Sequence, residues 1–390
     1  DLAAYTLGLT PLGIEWDEAA CATREAAWLR TLCADVSAVD PADYGKLDGL
    51  IASPPCTAFS MAGDGEGRKA IDVYLEAIRR WSAHGESPDY AQLDEACGDP
   101  SAHLVLEPLR WAIATDPEWV ALEQVPTVLP VWEAIGAALS VRGYYVWTGL
   151  LSAEQFGVPQ TRARAFLLAR KHAHGTFDPP APTHQRYVAP RVKEKQEETL
   201  FEAPEPERIV LPEDEGLLPW VSMAEALGWG MTARPSVTVP ATSGEGGPRA
   251  LDGGSGARET VQDAIAHGEW ANAPEGHPSH IHFRATNDRP NVATRPADAP
   301  APTLAFGHNP PRWLTGKSRM QCDARIAPAG HHDTHMEGSV RVTVAEAAVL
   351  QSFPADYPFQ GTRTKQFQAV GNAVPPLLAW AVLKAVVPGV

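Results

Sequence analysis

The sequence predicts an α/β protein with a doubly wound sheet. Residues 47–52 and 119–122 form two apolar runs of strand length, and each run stops abruptly at a polar or helix-breaking residue. Short apolar runs of this kind are typical of strands buried in a parallel sheet. Residues 104–114 between them have the periodicity of an amphipathic helix, so helix and strand alternate here.

The other elements follow from hydrophobic period and from turn residues. Helices are predicted over residues 1–8, 18–32, 104–114 and 131–140. Strands are predicted over residues 13–17, 47–52, 119–123, 144–150 and 162–164. Residues 63–103 are polar and contain several glycines, so we expect a long loop with a helical patch at 73–81. A helix after Thr343 is predicted by a capping box, since Glu346 follows three residues later.

Length and composition indicate two lobes and no membrane segment. A chain of 390 residues can bury one large core and a smaller one. The apolar residues 377–383 are too few to span a bilayer and precede Lys384, so we expect a packed terminal helix. The cysteines are odd in number and show no paired spacing, so we expect free thiols and a cytoplasmic location. They are Cys21, Cys33, Cys56, Cys97 and Cys322.

The net charge of −16 is unfavourable for binding nucleic acid, because phosphate contacts need local lysine and arginine. Residues 284–325 nevertheless carry seven basic residues against three aspartates, whereas residues 194–225 are strongly acidic. A basic face can therefore coexist with the acidic total, and we expect the excess negative charge on other faces.

Cys56 follows the strand at 47–52 after two prolines, Pro54 and Pro55, whose rings fix φ at successive positions. The carboxyl ends of parallel strands are where open α/β sheets bind ligands. A thiol held there with little backbone freedom suits a nucleophile. The alternative is that Cys56 is a small buried hydrophobe, which is the usual fate of a free cysteine.

Four short motifs place Cys56 in a wider pattern. They are Pro54-Pro55-Cys56-x-x-Phe59-Ser60-x-x-Gly63, Glu123-Gln124-Val125, Gln160-Thr161-Arg162-Ala163-Arg164 and Gly371-Asn372-Ala373-Val374-Pro375-Pro376. In order and spacing they resemble the cytosine-C5 DNA methyltransferases. The resemblance covers all of the chain except residues 172–290. It implies a Rossmann-like methyltransferase sheet with a second, smaller, irregular target-recognition domain.

The resemblance implies methyl transfer from S-adenosylmethionine to C5 of a cytosine flipped out of double-stranded DNA. Cys56 would add as a thiolate to C6, and Glu123 would hydrogen-bond N3 and the amino group of the base. Arg164 would hold the base near O2, and Arg162 would support the loop and backbone. Side chains alternate along a strand, so both guanidinium groups should share one face, where they could instead pair with surface carboxylates.

The resemblance also implies which residues bind S-adenosylmethionine. Glu15 would accept hydrogen bonds from the ribose hydroxyls, Trp16 would face the adenine, and Asp35 would accept from the adenine amino group. The other implied contacts are Val36, Pro55, Leu104, Asn372, Ala373 and Val374. Without the resemblance, Glu15 and Trp16 are a surface acid and an anchoring aromatic, and Asp35 is a cap or turn residue.

Two features depart from the family pattern. The family has a strand and a glycine-rich turn before the first helix, and both are absent here. That turn lets a cofactor approach the backbone closely, so we expect an N-terminally incomplete fragment, with a degenerate relative as the alternative. The family's Asp-x-Arg in the loop after the cysteine is replaced by Asp99-Pro100-Ser101, which removes that arginine.

From the resemblance we expect a catalytic, cofactor-binding domain over residues 1–171 and a target-recognition domain over 172–330. Residues 331–390 should return to the catalytic domain and bring the two chain ends together. Two histidine clusters have irregular spacing and no accompanying cysteines, so we expect no metal site. They are His277, His280 and His282, and His331, His332 and His335.

The expected partner is double-stranded DNA, together with a cognate restriction endonuclease, and the chain is expected to be a monomer. Three other functions remain open. A transfer-RNA cytosine methyltransferase would share Cys56 and Glu123 but has a smaller recognition lobe. A folate-dependent pyrimidine C5 enzyme also uses a Pro-Cys nucleophile, yet has no need of Glu15 and Trp16. A non-catalytic DNA-binding relative would explain the missing glycine-rich turn.

Overall fold

The computed structural model describes residues 1–55, 66–188, 209–228, 282–284, 294–296, 298–303, 312–314 and 339–390. The α-helices of this part are α1 (Leu2–Thr6), α2 (Glu18–Ala26), α3 (Glu66–His84), α4 (Tyr90–Cys97), α5 (Glu107–Thr115), α6 (Leu129–Val141), α7 (Met223–Leu227), α8 (Val344–Leu350), α9 (Arg363–Asn372) and α10 (Pro376–Val386). The strands are β1 (Gly13–Glu15), β2 (Thr31–Cys33), β3 (Gly49–Ala52), β4 (Trp119–Gln124), β5 (Tyr144–Ser152), β6 (Gln160–Thr161), β7 (Ala163–Lys171), β8 (His282–Arg284), β9 (Thr294–Pro296), β10 (Ala301–Pro302), β11 (Arg312–Leu314) and β12 (Ser339–Arg341).

A four-stranded sheet with the order β3-β4-β7-β5 lies at the centre of the fold. β3 and β4 are parallel, with Ala52 beside Leu122. β7 runs antiparallel to β4 and to β5. The predicted strands at 47–52, 119–123 and 144–150 are therefore confirmed. β5 and β7 are antiparallel, because residues 153–162 join them without the crossover helix that a parallel pair needs.

Helices cover both faces of this sheet. On β4, Val120 and Leu122 belong to a core shared with α3, α5 and α6. Trp119 and Ala121 belong to a second core, which is shared with α1 and α10. All six residues of β4 are buried. The doubly wound arrangement predicted from the sequence is therefore confirmed.

α1 and α10 pack against each other. Ala3 and Ala4 of α1 lie in the same core as Leu378 and Val382 of α10, which confirms that the two chain ends meet. By length and composition alone, residues 363–386 are apolar enough to cross a membrane. They form two helices, α9 and α10, and each buries apolar residues inside the protein. The predicted packed terminal helix is α10.

β1 and β2 form a separate parallel pair, with Glu15 beside Cys33. The helix predicted over 18–32 is wrong in its second half, because α2 ends at Ala26. Trp28 takes a left-handed conformation with φ +59° and turns the chain into β2. Within the described residues, β1 pairs only with β2 and β3 pairs only with β4, so one edge of each is free.

The expected loop at 63–103 is largely helical in the part that the structure describes. α3 and α4 occupy most of it, and α3 buries Tyr74, Ile78 and Trp81 against the sheet's first core. The helix predicted over 104–114 begins as a 3-10 turn at Ala102–Leu106 and continues as α5. Polar residues on the exposed face of α3 concealed its apolar stripe.

A smaller core joins α7, α8 and α9 to Ala301 and Trp313. α8 begins with the predicted capping box of Thr343 and Glu346. β10 pairs in parallel with β6, and Thr303 Oγ1 donates to the Thr161 carbonyl oxygen at 3.0 Å. The smaller core is therefore attached to the chain immediately before Arg162.

Cys21 and Cys33 form a disulfide that joins α2 to β2, with Cα atoms 6.0 Å apart. The expectation of free thiols is wrong for this pair. In one continuous helix their separation of 12 residues would place them about 18 Å apart, and the turn at Trp28 brings them together instead. Cys97 is free, and Cys322 lies outside the described residues.

Candidate active site

Glu123 lies at the carboxyl end of β4, and two side chains hold its carboxylate. Ser53 follows β3 directly, and its hydroxyl donates to Glu123 Oε2 at 2.5 Å. Arg164 on β7 places Nε 3.0 Å from Glu123 Oε1. Only 7% of Glu123 is exposed. The carboxylate is therefore fixed between a neutral donor on one strand and a cation on another.

Arg162 and Arg164 both interact with the charge of Glu123. The strand predicted over residues 162–164 begins at Ala163, so Arg162 precedes β7 and strand alternation does not place the two side chains. Burial lowers the pKa of Arg162 to about 9, and the charge of Arg164 adds to this effect, while Glu123 opposes it. Burial also lowers the pKa of Arg164, again opposed by Glu123. Arg162 is 2% exposed, and its Nε and Nη1 find no hydrogen-bond partner among the described residues. The site thus carries more positive charge than Glu123 balances.

The predicted nucleophile, Cys56, lies outside the described residues, as do the histidine side chains of both clusters. The chain that leads to it is described as far as Pro55, which is exposed. Gln124 Nε2 donates to the Pro54 carbonyl oxygen at 2.5 Å, and the Gln124 Oε1 accepts from the backbone N–H of Val125. The residue after Glu123 therefore anchors the segment that leads to Cys56.

The predicted cofactor residues Glu15 and Asp35 follow the parallel strands β1 and β2 at one edge. Glu15 Oε1 accepts from the backbone N–H groups of Trp16 and Asp17 at 2.8 and 2.9 Å. Asp35 Oδ1 accepts from the Ser37 hydroxyl and backbone N–H, which together lower the pKa of Asp35. Each carboxylate is held through one oxygen, so the other suits a ligand hydroxyl or amino group. Trp16 is 76% exposed and offers a free ring face.

Arg110 on α5 fixes the segment after Asp35. Its guanidinium donates to the carbonyl oxygens of Val36 and Val39 at 2.9 and 3.0 Å. The same group pairs with both oxygens of Glu107, which is 3% exposed. This pairing connects Val36 to the helix that follows Leu104.

The remaining predicted cofactor residues lie where α9 meets α10. Asn372 ends α9, Ala373 and Val374 form the turn, and α9 begins at Arg363. Near that start, Lys365 Nζ pairs with Asp17 Oδ2 at 2.5 Å. α9 is therefore tied to the chain that carries Glu15 and Trp16.

Three residues of this site were absent from the sequence analysis: Ser53, Arg110 and Lys365. Ser53 had a local indication, since it directly follows a strand predicted to end at the site. Arg110 lies on a predicted helix without any feature that marks its partner. Lys365 precedes the Gly371 motif by less than two helical turns, but Asp17 is 348 residues away in sequence.

Comparisons with known proteins agree with this geometry. The family model for C-5 cytosine-specific DNA methylases matches residues 8–216 and 276–387. The Type II methyltransferase M1.HphI of Haemophilus parahaemolyticus is 25% identical over 352 residues, covering 88% of this chain and 69% of that protein. M.DdeI of Desulfomicrobium norvegicum is 24% identical over 387 residues, covering 90% and 76%.

Among solved structures, the fold is similar to a DNA modification methyltransferase encoded within a prophage (E. coli). The TM-score is 0.52 at 15% sequence identity, and the match covers 99% of this chain and 94% of that one. The family model spans well over half of the sequence. The chain belongs to the C-5 cytosine-specific DNA methylase family.

Proposed function

We propose that the chain transfers a methyl group from S-adenosylmethionine to C5 of a cytosine flipped out of double-stranded DNA. The observation that carries this proposal is the clamped carboxylate of Glu123, buried beside two arginines at the strand edge where the segment leading to Cys56 begins. The amino group of cytosine can donate to a fixed carboxylate, and N3 can bind the other carboxylate oxygen when a proton lies between them.

Carbon 5 of cytosine is a weak nucleophile until the aromaticity of the ring is lost. The Cys56 thiolate would supply the electron pair for a new S–C6 bond, which makes C5 electron-rich. Glu123 would hydrogen-bond N3 and the amino group and so stabilise the resulting enamine. After methylation, loss of the C5 proton and cleavage of the S–C6 bond would restore the ring and the thiolate.

The two arginines have separate proposed roles. Arg164 would hold O2 of the base while its Nε keeps Glu123 in place. Arg162 would support the nearby backbone, and its excess charge suits a polyanionic substrate. Flipping the base out of the duplex costs about a few kcal/mol, which contacts of this kind offset.

The residues at the β1–β2 edge fit S-adenosylmethionine, which supplies an electrophilic methyl group when bound. Glu15 and Asp35 each present a carboxylate held through one oxygen, which suits ribose hydroxyls and the adenine amino group. The exposed ring of Trp16 suits stacking on adenine. Val36, Pro55, Leu104, Asn372, Ala373 and Val374 would complete the pocket.

We assign DNA sequence recognition to residues 172–330, the catalytic domain to residues 1–171 and the return to that domain to residues 331–390. The relatives M1.HphI and M.DdeI are named as Type II methyltransferases. By this likeness we propose that the chain acts as a cytoplasmic monomer that protects sites cut by a cognate restriction endonuclease. Exchanging residues 172–290 for those of a relative should change the methylated sequence, which bisulfite sequencing detects.

The test of the reaction is covalent trapping. With duplex DNA that carries 5-fluorocytosine at the target and with cofactor, the chain should form an adduct visible on a denaturing gel, because C5 then has no proton to lose. Cys56→Ser should abolish the adduct and turnover, since a hydroxyl is far less ionised than a thiol at neutral pH. Glu123→Gln should slow methylation strongly.

A shifted band that persists in Cys56→Ser would identify another nucleophile. Running the same assay with transfer RNA separates the two substrate classes, because methylation of RNA alone would contradict the assignment to DNA. S-adenosylmethionine binding without any methylation would indicate a binding-only relative.

A further inference from the structure

Ser53 and Glu123 meet because of the sheet. β3 and β4 are parallel, and Ala52 pairs with Leu122, so the next residues of both strands lie side by side at the carboxyl edge. The Ser53 hydroxyl is 2.5 Å from Glu123 Oε2, although 70 residues separate the two in sequence. The bond between Gln124 Nε2 and the Pro54 carbonyl oxygen fixes the backbone directly after Ser53. Strand register and the Gln124–Pro54 bond together therefore fix this contact.

Ser53 and Arg164 hold different oxygens of the same carboxylate. Arg164 Nε takes Oε1 and Ser53 takes Oε2, so each oxygen keeps one acceptor position for a ligand. The two donors differ in chemistry. A guanidinium can only donate, whereas a hydroxyl can donate to an ionised carboxylate and accept from a protonated one.

We propose that Ser53 is a positioning residue that keeps Glu123 in place through a change of its protonation. This inference rests on the proposed role of Glu123 at N3 of cytosine. Because Arg164 disfavours a proton on Oε1, a proton shared with the base is exchanged at Oε2, the oxygen that Ser53 contacts. The Ser53 hydroxyl donates to the other lone pair of Oε2, so the carboxyl group keeps its orientation whether or not that proton is present.

The experiment measures single-turnover methylation of duplex DNA at saturating cofactor, across pH, for the unaltered chain and three variants. Ser53→Ala should lower the rate about tenfold at neutral pH while DNA and cofactor affinities change less than twofold, because only a bond to a charged group is lost. Ser53→Thr keeps a hydroxyl and should restore the rate to within about threefold. Ser140→Ala is the matched control, since the Ser140 hydroxyl donates to the Gly136 carbonyl oxygen within α6.

The pH profile separates positioning from packing. Removing a donor makes the ionised carboxylate less favourable, so the limb of the profile that is missing in Glu123→Gln should move to higher pH in Ser53→Ala. The same limb of the pH–rate profile should stay at its original pH in Ser53→Thr and in Ser140→Ala. A profile and rate unchanged in Ser53→Ala would overturn the proposal, and equal losses in Ser53→Ala and Ser53→Thr would replace it with a steric role.

Failure of the proposed function gives a different result in this assay. An unaltered chain that methylates no cytosine contradicts the methyltransferase mechanism itself, and the role of Ser53 falls with it. An active unaltered chain with an unaffected Ser53→Ala variant contradicts the Ser53 proposal alone.

Discussion

Arg162 is a cation that the fold encloses on almost every side. Its folded pKa of about 9 lies well below the ordinary value for arginine, so the folded state disfavours its charge. Near neutral pH the charged Arg162 side chain is hydrated in the unfolded chain and largely desolvated in the folded one, which lowers the free energy of unfolding. We expect Arg162→Met to raise the free energy of unfolding by about 2 kcal/mol while it lowers methylation. Urea unfolding and a methylation assay measure the two effects.

The sign of the pH dependence follows from the two pKa values. Above pH 9, the folded chain loses the Arg162 proton before the unfolded chain does, so the stability of the unaltered chain rises with pH. The advantage of Arg162→Met should therefore shrink above pH 9. Arg79→Met is the control, because the Arg79 side chain is 70% exposed and should give no gain. A destabilised Arg162→Met variant would show that Arg162 has a partner that stabilises its charge.

Residues that lie next to a predicted strand end could be assigned to the site from the sequence alone. Glu123 lies near the end of β4, Arg162 directly precedes β7 and Arg164 lies near the start of β7, so their places relative to the strands bring them to one edge. Ser53 and Arg110 could not be assigned partners, because these lie 70 and 74 residues away in sequence. Such contacts depend on strand register and helix packing, which no short stretch of sequence determines.

At the scale of elements, α5 holds the cofactor segment through Arg110. Arg110→Lys keeps a charge beside buried Glu107 but loses the planar fork that reaches Val36 and Val39. We expect the dissociation constant of S-adenosylmethionine to rise about tenfold, with little change in melting temperature. Calorimetry measures the affinity. Arg142→Lys is the control, since Arg142 bonds a carbonyl oxygen on α6, and an unchanged affinity in Arg110→Lys would contradict the role given to Arg110.

The disulfide joins α2 to β2 on either side of the turn at Trp28. For a sequence separation of 12 between the two cysteines, the chain-entropy model gives a stabilisation of about 3 kcal/mol. In urea unfolding, the double variant Cys21→Ser, Cys33→Ser should have a free energy of unfolding lower by this amount. Adding reductant to the unaltered chain should lower its free energy of unfolding to a similar extent. A thiol titration of the denatured chain should find two more thiols with reductant than without, and equal numbers would refute the bond.

A segment could be predicted as helix or strand where its hydrophobic period and the length of its apolar run indicated the same element, as for β3, β4 and α6. The boundary between α2 and β2 was not, because alanine and leucine continue past Ala26 and no glycine or proline marks the turn. The left-handed conformation of Trp28 ends the helix instead, against the preference of a bulky residue. Tertiary contacts, including the disulfide, decide this boundary.

At the scale of the whole molecule, β1 and β3 each have one edge that pairs with no strand in the described part of the chain, so β1–β2 and β3-β4-β7-β5 are two separate sheets. A segment ahead of Asp1 that supplies one strand and a glycine-rich turn could pair with both edges. We expect it to tighten S-adenosylmethionine binding and raise the melting temperature. A glycine-serine segment of equal length is the control. If the chain without the added segment binds S-adenosylmethionine equally tightly, the added strand and turn are not needed for cofactor binding.

Strand β4 carries Glu123 at its end and is buried along its whole length between β3 and β7. Backbone amides in such a strand exchange with deuterated solvent only when the whole domain opens. Glu123 therefore belongs to the slowest part of the molecule. On the timescale of turnover, the backbone that carries Glu123 is a fixed frame for the flipped base.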